Sequence, residues 1–209
     1  SLDTLDNLRL NGIRTGISLS TGTLNRKQYA SEGKSYSFSA DWFSVKENFI
    51  PGSTSVLNQE INKSRSWIRA RIMLEQYFKS GIYSSGYLID GVFSNQPLFT
   101  NYQGSVISAP AFNPLQDSKT ILLQNFRAFN YVAAGWRNVF AVRNKLDFRL
   151  EAYLFKPFEA IVKGQNQEGV LDDSFNKIFL SGTAGMVYHS SVGPISLSVN
   201  YYDDPENQL

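Results

Sequence analysis

Leu146, Phe148, Leu150, Ala152 and Leu154 alternate with Lys145, Asp147, Arg149, Glu151 and Tyr153 in the segment RNKLDFRLEAYLF. Successive side chains of a strand point to opposite faces, so one face here is apolar and the other charged. Two architectures produce this pattern. A soluble sheet lays its apolar face on a core. A membrane barrel turns apolar residues to lipid and charges to a wet lumen.

The alternation recurs along the chain. Ile13, Ile17 and Leu19 are in phase, and so are Tyr36, Phe38, Ala40 and Trp42, with the polar connection NRKQYASEG between the two runs. Asn48 to Ser64 reads as a long loop turning at Pro51-Gly52. Ser66 to Lys79 has helix-compatible composition, yet Ile68, Ala70, Ile72 and Leu74 oppose Arg69, Arg71 and Glu75, which predicts a strand. Tyr83 to Phe93 predicts another strand, followed by an irregular stretch from Ser94 to Lys119 with three prolines. Leu122 to Trp136 is apolar on both phases, so its facing is open. Val139 to Phe155 predicts one long strand, and Gly164 to Asn176 a polar loop. Ile178 to Tyr188 and Ile195 to Tyr201 predict two final strands joined by the short turn HSSVGP. Eight or nine strands of roughly ten residues suit a tilted bilayer crossing. Trp67, Tyr77, Phe78, Tyr83, Phe93, Trp136, Phe155 and Tyr188 lie near strand ends, the place of interfacial aromatic girdles.

Composition narrows the picture little. The 209 residues carry a net charge of +2, which gives no reason to expect nucleic acid as a partner. There is no cysteine and a single histidine, so neither a disulfide framework nor a thiolate metal site is expected. The mean hydropathy of −0.25 is compatible with barrel strands, whose alternation keeps the average low. No run approaches the roughly 18 apolar residues of a spanning helix. The opening SLDTLDNLRLNG has neither a basic nor an apolar leader region, and a chain beginning at Ser1 reads as a piece of something longer.

Particular segments carry a resemblance. SGTAGMVYHSSVGPISLSVNYYD (Ser181 to Asp203) resembles the penultimate hairpin of the Omp85-superfamily barrel, with Gly182 and Gly185 in one strand and Gly193-Pro194 at the turn. TLNRKQYASEGKSYSFSADW, ENFIPGSTS, SWIRARIMLEQYF and PLFTNYQGSVISAPAFNP are similar to the C-terminal half of Bacteroidetes-type patatin-like phospholipases. The resemblance implies one partial barrel domain over residues 1–209, all-β and antiparallel, transmembrane and Omp85-like. It is expected to be incomplete in this fragment, with long loops on one rim. The superfamily's last strand would follow Leu209. The Arg-Gly-Phe/Tyr loop motif of protein-inserting members is absent, NYQGS at Asn101 to Ser105 being different. The implied partners are outer-membrane lipid, an N-terminal lipase domain of the same chain, the barrel-assembly machinery and, as an open alternative, a second copy in a homodimer. The implied location is the Gram-negative outer membrane. A translocation barrel and a soluble β-sandwich that binds a ligand are the rival readings.

Catalytic chemistry finds no foothold. The chain has no Gly-x-Ser-x-Gly elbow, so no catalytic residue is assigned and any lipase activity is expected upstream. His189 beside Ser190 and Ser191 invites a hydrolase reading, but neighbours along one strand rarely reach triad geometry. Asp172-Asp173, and Asp203-Asp204 with Glu206, read as solvated turns rather than a calcium loop. No metal or cofactor is expected. Lys145, Asp147, Arg149 and Glu151, with Arg69, Arg71 and Glu75, read as cross-strand ion pairs inside a barrel rather than a conduit of one sign.

Overall fold

The computed structural model describes residues 3–53, 55–57, 59–172 and 177–204. Ten strands follow one another: β1 (Asn7–Gly22), β2 (Gly33–Ile50), β3 (Ile61–Ser80), β4 (Tyr83–Ser94), β5 (Tyr131–Arg143), β6 (Leu146–Pro157), β7 (Ala160–Lys163), β8 (Gly169–Asp172), β9 (Phe179–Ser190) and β10 (Gly193–Tyr202). Eight of them form one antiparallel meander in the order β1-β2-β3-β4-β5-β6-β9-β10, and β7 and β8 make a separate small hairpin. The sheet is open: among the described residues β1 and β10 are its two free edges.

The connections differ at the two ends. Two-residue turns join β3 to β4 (81–82), β5 to β6 (144–145) and β9 to β10 (191–192). Positive φ at Gly81 and Lys145 lets the first two chains reverse tightly. The opposite end carries the long connections 51–60, 95–130 and 158–178. The exception at the turn end is 23–32, which folds inward. The long loop therefore covers 51–60, shorter than the expected Asn48 to Ser64, because Asn48–Ile50 and Ile61–Ser64 pair in their strands.

Three expectations need correction. Gly164 to Asn176 is not all loop: Gly169–Asp172 is β8, paired with β7, and 173–176 lie outside the described residues. Val139 to Phe155 is not one strand but the end of β5, a turn at Asn144-Lys145, and β6. A two-residue turn normally switches which parity faces outward. Here a bulge between Ala141 and Arg143 restores it, so even-numbered residues face outward in both strands and the period runs through the turn unbroken. In Leu122 to Trp136 only the part from Tyr131 is a strand. Leu122 to Asn130 belongs to an inward-folded segment with a 3-10 turn at Gln124–Phe126, which is why its apolar residues ignore strand phase.

Residues 95–130 lie against one face of the sheet. Their helix α1 (Tyr102–Ser108) is capped by Asn101, whose side chain accepts from the Gly104 N–H. Phe112, Leu115, Leu123 and Phe126 pack on Val92, Tyr131, Ala133, Tyr153, Phe155 and Tyr202. Phe112 stacks on Phe155 at 5.9 Å between centroids. The segment touches both flanks: Thr100 N–H donates to Glu47 of β2, and Asp117 accepts from Asn200 and Tyr202 of β10. The sheet thus curls around it, and this is the concave face.

The convex face is the opposite of an ordinary protein surface. The registers align Leu19, Phe38, Ile72, Gly91 and Val132 across five strands. A second row runs through Leu74, Ile89, Ala134, Leu154 and Leu180, and a third through Phe140, Phe148, Met186 and Leu197. Leu19, Trp136 and Leu197 are 66%, 60% and 81% exposed. A soluble sheet buries such a face.

Candidate functional site

Charged side chains gather on the concave face because every second residue of these strands points there. Arg71 donates to both Asp90 carboxylate oxygens, Nε at 2.9 Å and Nη2 at 2.6 Å, across the β3–β4 pair. Tyr131 O–H donates to the same carboxylate at 3.1 Å. Arg137 of β5 is the hub of a second network. It donates to Glu75 of β3, to Tyr77 Oη at 3.1 Å and to Tyr153 Oη at 2.8 Å. Tyr153 in turn donates to Glu151. Arg149 reaches Glu151 at 2.7 Å and the Ala30 carbonyl at 3.0 Å.

Three guanidiniums (Arg71, Arg137, Arg149) thus face three carboxylates (Glu75, Asp90, Glu151). Each charge is paired and further hydrogen-bonded, the condition under which a buried ion pair is tolerated. A cavity of about 390 Å³ lies between this network, the tip of the 23–32 connection and the Phe112–Asp117 stretch. It is lined by charges of both signs, five cations and four carboxylates, so no one sign dominates its wall.

The expected residues divide accordingly. Arg71, Glu75, Arg149 and Glu151 enter the networks. Arg69 takes part differently, donating to Gln96 Oε1 at 2.5 Å and to the Ser108 carbonyl at 3.3 Å while its guanidinium lies 4.9 Å from the Phe43 ring. Lys145 does not take part: it sits exposed at the turn with φ 69°. Asp147 pairs with Arg26 of the inward-folded connection at 3.1 Å. Asp90, Arg137 and Glu47 are additions. Asp90 interrupts the apolar run YLIDGVF on the inward phase, which is the signal that could have found it.

His189 is an inward residue of β9. Its Nε2 lies 2.7 Å from Asp147 Oδ2 and 3.0 Å from Arg26 Nη1. Ser190 Oγ donates instead to the Gly193 carbonyl at 2.6 Å. The arrangement is a latch for the 23–32 connection, not a Ser-His pair. Tyr29 Oη also donates to Ser196 of β10 at 2.9 Å, so this connection spans the turn end from β1 to the far edge.

Asp172 pairs with Lys177 at 3.0 Å. Asp204 accepts from the Asn125 N–H at 3.0 Å, and Asn125 also donates to the Asp203 carbonyl. Asp173 and Glu206 lie outside the described residues. Among the described residues no group of three or more His, Cys, Asp or Glu is placed to hold a metal.

The convex face has its own chemistry. Several of its hydrogen-bonding side chains pair laterally. Trp136 Nε1 donates to Ser85 Oγ at 3.0 Å, Tyr87 O–H to Gln76 Oε1 at 3.1 Å, and Tyr83 O–H to Asn138 Oδ1 at 2.6 Å. Phe78, Tyr83, Phe140, Phe148 and Tyr188 all lie on this face within a few residues of the tight turns. Trp42, Phe93 and Tyr201 lie on it towards the other end, where Phe93 stacks with Phe158 at 6.0 Å. Of the aromatic residues expected in girdles, Trp67, Tyr77 and Phe155 point inward and are buried.

Comparison of the chain with protein-family models, with curated proteins and with solved structures finds no match.

Proposed function

We propose that this sheet is part of the wall of an outer-membrane β-barrel, its convex face in lipid and its concave face sealed by residues 95–130. The supporting observation is the inverted distribution of polarity. The ion pairs lie on the covered concave face, and the convex face is exposed, apolar and free of charge between its two aromatic borders. The dimensions agree. Tyr83 and Phe93 border the band on β4 and are ten residues apart, or roughly 33 Å along a strand at about 3.3 Å each. A tilt of about 40° brings this to about 25 Å, the height of the apolar band of such barrels. In hydrocarbon no water can satisfy a Trp N–H or Tyr O–H, which gives the lateral pairs of the convex face a purpose.

The role of this wall is to anchor an N-terminal patatin-like lipase domain of the same chain. That part rests on the sequence resemblance, and the acyl-hydrolase chemistry belongs to the upstream domain. Outer-membrane lipid and the assembly machinery that inserts barrels are the partners this role requires.

Refolding from urea tests the membrane placement. The protein is diluted into detergent micelles and into plain buffer, and followed by far-UV circular dichroism and heat-dependent gel mobility. A β signal and a mobility shift found only in detergent are expected. Cooperative folding in buffer, unimproved by detergent, would make a soluble β-module the better reading.

A further inference from the structure

Every charged side chain that the main sheet turns to its convex face is a cation. These are Arg9 on β1, Lys34 and Lys46 on β2, Arg143 at the β5 bulge opposite the outward Leu146, and Lys156 on β6. Lys34 and Arg143 border the turn end, and the other three lie at the loop end. Arg9 and Lys46 form a pair. Lys46 is opposite Asn11 and Arg9 is opposite Asn48, so the two cations are diagonal neighbours on adjacent strands, roughly 7–8 Å apart. Both are exposed. Around them on the same face are Asn11, Asn48, Asn62 and Ser64, neutral hydrogen-bonding groups.

Two like charges held this close repel one another, and an anion placed between them relieves that repulsion. The nearby carboxylates are otherwise engaged or displaced. Glu47 faces inward and holds Arg65 at 2.9 Å and the Thr100 N–H at 2.6 Å. Asp6 accepts from the Gly52 N–H at 2.9 Å. Glu60 precedes β3, in the 51–60 connection.

The position relative to the aromatic border suggests what does neutralise them. Lys46 follows Trp42 by four residues on the same face, roughly 13 Å along the strand and about 10 Å in height at a tilt near 40°. The headgroup layer of a bilayer is about 5–8 Å deep on each side, and long cationic side chains bend back into it. We infer that Arg9 and Lys46 form a docking surface for the anionic, phosphate-bearing headgroups of lipids in the leaflet at the loop end. The inference rests on the membrane placement proposed above and adds which lipids border this sector of the wall.

Tryptophan quenching by brominated lipids tests it. Trp67 is buried on the concave side, so replacing Trp136 by Phe leaves Trp42 as the outward reporter. The Trp136→Phe protein is reconstituted into phosphatidylcholine vesicles with an equal fraction of brominated phosphatidylcholine or brominated phosphatidylglycerol. A preference for phosphatidylglycerol of about fivefold is expected, the scale of one cation at an anionic surface. Adding Arg9→Gln and Lys46→Gln, or about 1 M salt, should bring the ratio to unity while quenching by brominated phosphatidylcholine stays the same. Equal quenching by both lipids with Arg9 and Lys46 present would overturn the inference and leave the membrane placement standing. No quenching of Trp42 by either lipid would overturn both.

Discussion

Ile89 offers the sharpest test of what the convex face touches. It lies on β4 between the border residues Tyr83 and Phe93, with Leu74 and Ala134 opposite it on the neighbouring strands. No charged residue shares that row on the five strands from β3 to β9. Consider Ile89→Arg. In water the change places a charge on an exposed strand position at 38% exposure, and such surface changes stay within about 0.5 kcal/mol. At the midplane of a bilayer the same change costs about 2–4 kcal/mol. At about 1.4 kcal/mol per factor of ten, that is roughly a thirtyfold to several-hundredfold loss in folding equilibrium. Ile195 is the control. It is also outward and exposed, but only two residues past the start of β10 at the turn end, where Arg should cost about 0–1 kcal/mol. The assay is reversible denaturant unfolding of protein in lipid vesicles, followed by tryptophan fluorescence, on the parent, Ile89→Arg and Ile195→Arg. The reasoning is refuted if the two substitutions cost the same, or if Ile89→Arg costs less than about 0.5 kcal/mol.

Three further outcomes are expected. Glu151→Gln leaves Arg149 and Arg137 without the carboxylate they share, so it should cost about 3–5 kcal/mol in the same unfolding assay, whereas Tyr153→Phe, which removes one donor to it, should cost nearer 1–3 kcal/mol. Phe112→Ala should cost about 3–5 kcal/mol and raise amide hydrogen exchange across residues 95–130, because the ring packs on Tyr131, Tyr153 and Phe155; unchanged exchange would mean the segment does not hold to the sheet through this contact. Gly33→Ala should destabilise by at least about 1 kcal/mol, since φ is +95° there and a Cβ would lie 2.2 Å from the Thr23 carbonyl oxygen, and loss of the Arg26–Asp147 latch should show as proteolysis within 23–32.

The strands were legible in the sequence wherever one parity stayed apolar. Ser66 to Lys79 is the clearest case: its composition favours a helix, its alternation a strand, and Ile68, Ala70, Ile72 and Leu74 do line one face of β3. The Asn144-Lys145 turn was hidden because the neighbouring bulge preserves the parity that a two-residue turn would have flipped. The ion pairs were legible as a set and not as partners. Arg149 and Glu151 are two apart on one strand and meet, but Glu75 reaches Arg137, 62 residues away, and Arg71 reaches Asp90. Pairing across strands depends on register, and register is not written in any one strand. The packing of 95–130 was least legible. Its apolar residues follow no period because they fill a concavity shaped by the other strands.

That filling bears on what the wall can do. A conduit needs a continuous polar path, and here the concave face is occupied at two levels. Phe112, Leu115, Leu123 and Phe126 cover its loop-end half, and the 23–32 connection crosses its turn end through Arg26, Tyr29 and Ala30. Between them the remaining cavity is lined by charges of both signs, the Arg71–Asp90, Arg137–Glu75 and Arg149–Glu151 pairs among them. Passage would require breaking contacts at both levels. An anchor needs none of that path. Under the proposed membrane placement it needs an exposed apolar band whose polar side chains pair laterally, and the convex face carries both features.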